Sequence, residues 1–474
     1  MRNLSLLTDL YELTMMQGFV NSRIHNRKAV FDVFFRQMSD MSYAVCAGLE
    51  QAIDYVKNIH FLEEDIEYLR GLNLFTEEFL DMLKNYKFSG DIYAIPEGTV
   101  VFASEPLLTV KTTLFEAQLI ETALLNIINH QTLIATKATR ISHSAKGKPV
   151  MEFGLRRAQG PDAGIYGARA AMIGGCCGTS NVLAGQMFDV PVLGTHAHSW
   201  VMSFKDELTA FRAYADLYPD ACTLLVDTYD TLKSGLPNAI TVFNELKAKG
   251  HTPKGIRIDS GDLAYLTKKA RKMLDEAGFP EVKICVSGDI DEHVLLSLNA
   301  QDACIDSYGI GTKLITSHSH PSLGGVYKLA EVENDQGELI PKLKVSDTSE
   351  KITNPGYKTV WRIYTDGRAA ADLIALKDEK FDKNKPLTLF HPIETWKKIT
   401  FTDYEIKELS RPIILNGELV YEFPKVSEII SFAKQSFSEI WEEYKRLTNP
   451  HIYKVDLSDK LYELKKRLLS EAHK

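Results

Sequence analysis

CTLLVDT (residues 222–228), GIRIDSGD (255–262), VKICVSGD (282–289) and CIDSYGIGT (304–312) follow one pattern. Each is a short apolar run that stops abruptly at Asp, Arg, Ser or Gly. Strands that are apolar at successive positions are covered on both faces, the mark of a parallel sheet flanked by helices. The intervening segments supply those helices. AITVFNELKAKG (239–250) and LAYLTKKARKMLDEAG (263–278) place apolar residues three and four apart. Upstream, PVMEFG (149–154) and VPVLGT (190–195) extend the strand series, and DELTAFRAYADLY (206–218) the helix series. Strand–helix–strand alternation implies parallel pairing through right-handed crossovers.

In an α/β barrel and in an open doubly wound sheet alike, ligands sit at the C-terminal ends of the strands. Here those ends carry Glu152, Thr195, Asp227, Arg257 with Asp259, Ser287 to Asp289, and Gly309 to Thr312. So many contributing ends favour the barrel. The expected fold class is α/β, an irregular (β/α) barrel with a flanking, discontinuous α+β domain. Residues 1–115 mix helical and strand-like runs and form the N-terminal α+β part, and 116–340 hold the barrel. Residues 341–474 begin with strands, including a hairpin over KTVWRIYTDGRAAADLIAL (358–376) turning at Asp366-Gly367. They end in charged helices that pack back on the N-terminal part.

Composition removes several function classes. The 474 residues are 45% hydrophobic and 25% charged with a formal charge of -8, an ordinary globular balance without the basic face that nucleic acid demands. No apolar run is long enough to span a bilayer. Asp9 and Glu12 interrupt the N-terminal apolar stretch where a secretory signal needs continuity. The six cysteines show no CxxC spacing, so reduced, mostly buried thiols in a cytoplasmic protein are expected, and no zinc site.

GTHAHS (194–199) raises the question of chemistry, because His196 and His198 flank one alanine at a strand end. A metal-dependent barrel hydrolase opens its site this way, but needs further histidines and a carboxylate from other strand ends. The other ends here carry Asp, Arg, Ser and Gly, and the second His-x-His pair, His318 and His320, lies in a loop past the last strand. No protein-held metal is expected, and the hydrolase remains an alternative. SGDI (287–290) and GIGT (309–312) are glycine turns after consecutive strands, suited to offering backbone N–H groups to phosphate. Arg156 and Arg157 add positive charge, and RIDSGD suits a ribose or a magnesium-bound polyphosphate.

TDLYELTM (8–15), EFGLRRAQGPDAG (152–164), TSNVLAG (179–185), GTHAHS, LLVDTYD (224–230), RIDSGDL (257–263), GIGT and PSLGGVYKL (321–329) together resemble nicotinate phosphoribosyltransferase, in the same order along the chain. The resemblance implies transfer of 5-phosphoribosyl from its 1-diphosphate to nicotinate, giving nicotinate mononucleotide and diphosphate, coupled to ATP hydrolysis with Mg2+. It implies that His198 accepts the γ-phosphoryl group as a phosphohistidine, with Asp227 supporting the imidazole. His196 packs and takes no part. Phe153 is implied as one face of a pyridine sandwich, and Tyr11 of the partner subunit as the other, in a homodimer with shared sites. Arg257 with Thr195 would hold the nicotinate carboxylate, and Asp259 would contact the ribose. Arg156, Gly288, Gly311 and Thr312 would bind phosphate groups. Ser180, a neutral hydroxyl where an amide-using relative carries a carboxylate, would favour the acid over nicotinamide. A catalytically inactive binding protein is the remaining alternative.

Overall fold

The strand–helix alternation builds a six-stranded parallel sheet. The computed structural model describes residues 2–37, 41–346, 348, 351–394 and 396–472. Across the sheet the order is Gly178–Thr179, Val150–Glu152, Ser307–Ile310, Lys283–Gly288, Gly255–Ile258 and Thr223–Leu225, every pairing parallel. The central strands are buried on both faces, as the successive buried residues Ile284, Cys285, Val286 and Ser287, and Tyr308, Gly309 and Ile310, show. Gly178–Thr179 and Thr223–Leu225 are the hydrogen-bonded edges.

The expected strand VPVLGT forms only an isolated bridge, Val192 to Thr179. Pro191 has no N–H to donate, and Val192 and Leu193 stand exposed, so the segment lacks the two-sided burial that its apolar letters suggested. In its place the chain uses Gly178–Thr179, which has no apolar run to advertise it. Gly178 is required there, because a Cβ would lie 2.5 Å from the Leu193 side chain.

The chain divides into two compact units, residues 134–321 around the parallel sheet, and residues 1–133 with 322–474. Positions 115 and 116 fall within the helix Leu114–Leu119, and 340 and 341 within the strand Leu339–Pro341.

The second unit holds a seven-stranded antiparallel sheet, whose strand Lys28–Phe35 pairs with Gly325–Glu333 on one side and Leu108–Thr113 on the other. Its other large sheet is organised on the hairpin Lys358–Thr365 with Arg368–Leu376. Asp366 and Gly367 both take positive φ, 52° and 71°, the two-residue turn that matches strand twist. Val455–Leu457, only three residues within a charged stretch, joins that sheet parallel to Arg368–Leu376. The helix Leu10–Asn21 buries Leu13, Met16, Gln17 and Val20 and leaves Leu10, Tyr11 and Met15 exposed.

Beneath Tyr11 sits a pair of carboxyl groups. Tyr11 Oη donates to Glu121 at 3.3 Å, and Gln118 donates to both Glu121 and the fully buried Glu12. Burial, and then the charge of Glu12, push the Glu121 carboxyl up to about 7. A folded pKa above the unfolded value means the fold holds the proton more tightly, so stability is lost as pH climbs from about 4.5 through 7. Glu121→Gln mimics the protonated form. Its melting temperature should therefore match wild type near pH 4.5, exceed it by a few degrees at pH 8, and stay parallel to it above that. Calorimetric scans at the two pH values check this.

Candidate active site

The strand-end residues converge at the C-terminal edge of the parallel sheet. His198 opens the short helix His198–Met202, with its Nδ1 3.1 Å from Thr228 Oγ1. On the opposite side of the ring, Nε2 faces two carboxylates, Asp227 Oδ1 at 4.0 Å and Asp259 Oδ2 at 3.9 Å. These are charge contacts rather than hydrogen bonds. Asp227 is held by its other oxygen, which accepts from the Asp259 backbone N–H at 2.9 Å and from Ser260 Oγ at 2.7 Å. Its Oδ1 is buried without a hydrogen-bond partner. Asp259 is fixed in turn by a hydrogen bond from Ser287 Oγ. One ring nitrogen thus faces two carboxylates, and the other lies within hydrogen-bond reach of the Thr228 hydroxyl, which orients a ring whose side chain is 38% exposed.

Arg257 lies two residues before Asp259 on the strand Gly255–Ile258 and donates to Thr195 Oγ1. Its Nε is buried without a protein partner. A guanidinium that keeps a buried N–H unused is placed to accept a carboxylate, and leaving it unmatched costs more than pairing it.

His196 has a different environment. Its Nε2 accepts the Leu225 backbone N–H at 3.2 Å, its Nδ1 lies 3.4 Å from Ala197 O, and its ring meets Tyr214 edge-on at 4.6 Å. Accepting at Nε2 requires the neutral ring with its proton on Nδ1. Burial pushes the imidazole down to about 4, with Arg257 and His198 adding repulsion. His196 therefore does more than pack. It is the hydrogen-bond partner of an edge strand.

Phe153 follows the strand Val150–Glu152, its N–H bonded to Ile310 O at 2.9 Å. Its ring lies over Gly309, where a Cβ would come within 2.5 Å of it, so the glycine makes room for the aromatic face. Gly311 packs against the Phe153 carbonyl for the same reason, a Cβ there falling 2.8 Å from the oxygen. Gly288 takes a φ of 121°, and a Cβ would meet Asp259 O at 2.8 Å. Thr312 starts the turn of helix after Gly311. Ser180 hangs from Glu152 O through its N–H at 2.9 Å, and Arg156 is exposed on the Leu155–Arg157 turn.

The structure thus gathers Thr195, His198, Asp227, Arg257, Asp259 and Gly288 by direct contacts, and Phe153 with Gly311 by another set. Arg156 and Ser180 stand at neighbouring loop positions without a side-chain contact to these groups, and Tyr11 belongs to the other unit. The sequence reading placed Ser287 and Gly309 at strand ends without giving them a role, and gave none to Thr228 and Ser260, which with Ser287 orient the histidine and carboxylates. It also missed Lys313, paired with Asp291 at 3.0 Å beside Thr312. All five lie in or next to motifs that were recognised. Their signal was position within those motifs.

Residues 6–129 match the nicotinate phosphoribosyltransferase (NAPRTase) N-terminal domain, 149–378 the NAPRTase family and 357–465 the NAPRTase C-terminal domain. Nicotinate phosphoribosyltransferase of Bacillus subtilis (strain 168) is 47% identical over 99% of this chain and 97% of its own length. The chain belongs to the nicotinate phosphoribosyltransferase family. The Dictyostelium discoideum nicotinate phosphoribosyltransferase is 36% identical over 97% of this chain and 87% of its own. The crystal structure of human nicotinic acid phosphoribosyltransferase superposes with a TM-score of 0.87 at 30% identity, covering 97% of this chain and 99% of that one. A nicotinate-nucleotide pyrophosphorylase from Pyrococcus furiosus, 24% identical over 92% of this chain and 95% of that one, shares the fold with a TM-score of 0.71.

The edge-strand role of His196 is testable within this family site. His196→Leu keeps apolar volume but leaves the Leu225 N–H without its acceptor, at a cost of about 1–3 kcal/mol. Because the folded imidazole pKa is depressed, its contribution is present above pH 6.5 and is lost as pH falls toward about 4. Urea titrations should show the variant less stable at pH 7.5, with the gap narrowing toward pH 4. An unchanged gap across that range would contradict the assignment.

Proposed function

We propose that this chain catalyses ATP-coupled transfer of 5-phosphoribosyl to nicotinate, forming nicotinate mononucleotide and diphosphate, as its full-length likeness to named nicotinate phosphoribosyltransferases supports. The observation that supports the residue-level reading is the partly exposed His198 ring, which faces the Asp227 and Asp259 carboxylates through Nε2 in the same strand-end cluster as an Arg257 with an unused N–H. In this reading a ring nitrogen of His198 attacks the γ-phosphorus of ATP, a N–P bond forms as the P–O bond to ADP breaks, and the carboxylates offset the charge on the ring. Water later breaks the N–P bond and releases phosphate. In the transfer step the pyridine nitrogen bonds to C1 of the ribose as the bond to diphosphate breaks.

Arg257, Thr195 and Ser180 orient the nicotinate carboxylate, and Phe153 covers the ring. Asp259 meets the ribose, and Arg156, Gly288, Gly311 and Thr312 take the phosphates. A site of neutral and cationic donors favours the acid over the amide, because nicotinamide would leave Arg257 unmatched. Mg2+ fits the same place in its usual manner, bound by one or two carboxylates together with substrate phosphates, and the unpartnered Asp227 oxygen is such a ligand. When bound it would neutralise charge on the diphosphate oxygens.

The hydrolase alternative is disfavoured by geometry, since Nε2 of His196 is occupied by a backbone N–H and so cannot join His198 on a metal through that atom. We further propose that the parallel sheet works as an irregular barrel whose seam between Thr179 and Leu225 is spanned by residues 191–196, with the antiparallel portions as its flanking domain. The homodimer reading draws support from two exposed apolar stripes. One is Leu7, Leu10, Tyr11 and Met15, and the other is Val182, Leu183 and Met187 on the helix Val182–Phe188. A C2 arrangement would lay the first stripe of each copy over the second stripe of the other, bringing Tyr11 of the partner subunit to Phe153.

Incubation with nicotinate, 5-phosphoribosyl 1-diphosphate, Mg2+ and ATP should yield the mononucleotide, and labelled ATP should leave an acid-labile phosphate on the protein. His198→Ala should lose the label and the stimulation by ATP while retaining slow ATP-independent transfer. Full labelling of that variant would remove His198 from the role. For the shared site, Tyr11→Ala and Arg257→Ala chains, each inactive alone, should regain about one working site per mixed dimer after subunit exchange. Mixtures that exchange and stay inactive would sink the shared-site reading.

A further inference from the structure

The unit formed by residues 1–133 and 322–474 contains a cavity of about 900 Å³ that none of the residues discussed above explains. Its walls are strongly cationic. Arg36, Lys397, Lys398, Lys454 and Lys465 line it, against a single carboxylate, Asp456. Lys397 is neutralised by Glu394, whereas Lys398 and Lys454 make no ion pair among the described residues.

Two buried wall groups have unmet requirements. Lys465 is 5% exposed, and its ammonium donates to Asn354 Oδ1 at 2.8 Å, one bond for three N–H groups. Burial, reinforced by the nearby Lys358, pushes it down to about 8. Asp456 is 4% exposed, and its Oδ1 is buried with no hydrogen-bond partner. Burial also pushes this carboxyl up, against the pull of His391 and Lys454. An unsatisfied buried ammonium calls for an anion, and an unsatisfied buried carboxylate oxygen calls for an N–H donor. The two are not an ion pair with each other, so one ligand must bring both groups at separate points. Trp396 lines the cavity and stands 75% exposed, a flat apolar face with no ring stacked on it among the described residues.

We propose that this cavity binds a nucleoside monophosphate whose base bears an exocyclic amine, with the phosphate on Lys465, Lys398 and Lys454, the amine on Asp456, and the ring on Trp396. The volume falls within the range of small-molecule sites. The site is separate from the proposed catalytic groups, all but one of which lie in the parallel-sheet unit. Tyr11 is the exception, and it does not line the cavity. The proposal therefore stands or falls independently of the catalytic reading.

The readout is Lys465 itself, so nucleotide bound at any other site does not register. In the full-length protein its amine is acylated with a small reagent near neutral pH, and the rate is followed by peptide mass spectrometry with adenosine 5′-monophosphate or inorganic phosphate as probe. The nucleotide is expected to slow labelling of Lys465 at least about tenfold, the scale of one or two hydrogen bonds to a charged group. Inorganic phosphate should do so only at higher concentration. Trp396→Ala, at an exposed position safe for folding, and Asp456→Ala should each weaken protection by the nucleotide about tenfold and leave protection by phosphate unchanged. Equal protection by phosphate and nucleotide would reduce the site to a simple anion pocket and overturn the proposal. So would nucleotide without effect, or variants that protect like wild type. A Lys465 that resists labelling in the free protein, but reacts on dilution to monomer, would show that a second copy of the chain fills the cavity instead.

Discussion

The backbone N–H of Leu225 points away from its only strand neighbour. The strand Thr223–Leu225 is paired on one side by Gly255–Ile258 and is an edge on the other, and Leu225 is fully buried. A buried donor must find an acceptor, and no further strand supplies one. The side chain of His196 does. That one bond holds segment 191–196 between the two edges of the sheet, because Leu193 N–H bonds Thr179 O on the far side. Thr195 precedes His196 and His198 follows it by two residues, so the distances from Thr195 to Arg257 and from His198 to Asp227 both depend on where the ring is pinned. A one-residue histidine staple does here what a strand would do elsewhere, and it leaves the loop's backbone free to present its side chains outward.

The same logic explains the placement of carboxylates. Asp227 and Asp259 end adjacent strands, and the Asp259 N–H bonds to the Asp227 side chain, so the two loops are locked in register by one carboxylate of the candidate site. Such a lock fixes Asp227 without consuming its second oxygen. Geometry of this kind keeps a charge available at a set position before any substrate arrives, the condition for electrostatic stabilisation at low reorganisation cost.

The sheet and its strand ends were legible in the sequence because two-sided burial writes a continuous apolar run that stops where the chain turns to solvent. The Asp366-Gly367 hairpin was legible for an equally local reason. Gly178–Thr179 and Val455–Leu457 were not. Two- and three-residue strands have too little length for periodicity, and their pairing is set by neighbours distant in sequence. VPVLGT misled in the opposite sense, since its apolar side chains face outward where the monomer leaves them exposed. The candidate site residues themselves stood in the motifs. What holds them, Thr228, Ser260, Ser287 and the glycine under Phe153, could be seen only once the strand ends were set side by side.

His196 and His198 show why spacing alone misassigns function. Two histidines separated by one residue on an extended segment would point the same way and suggest a shared metal. Here the segment turns into a helix at His198, so the first ring faces inward to an edge strand and the second faces the carboxylates. Burial drives the first to remain neutral, which is what accepting a backbone hydrogen bond requires. The second is left 38% exposed beside two acids. One change of backbone direction between Thr195 and His198 thus sends the two rings to different partners, and moving His196 out of its place would strand the buried Leu225 N–H.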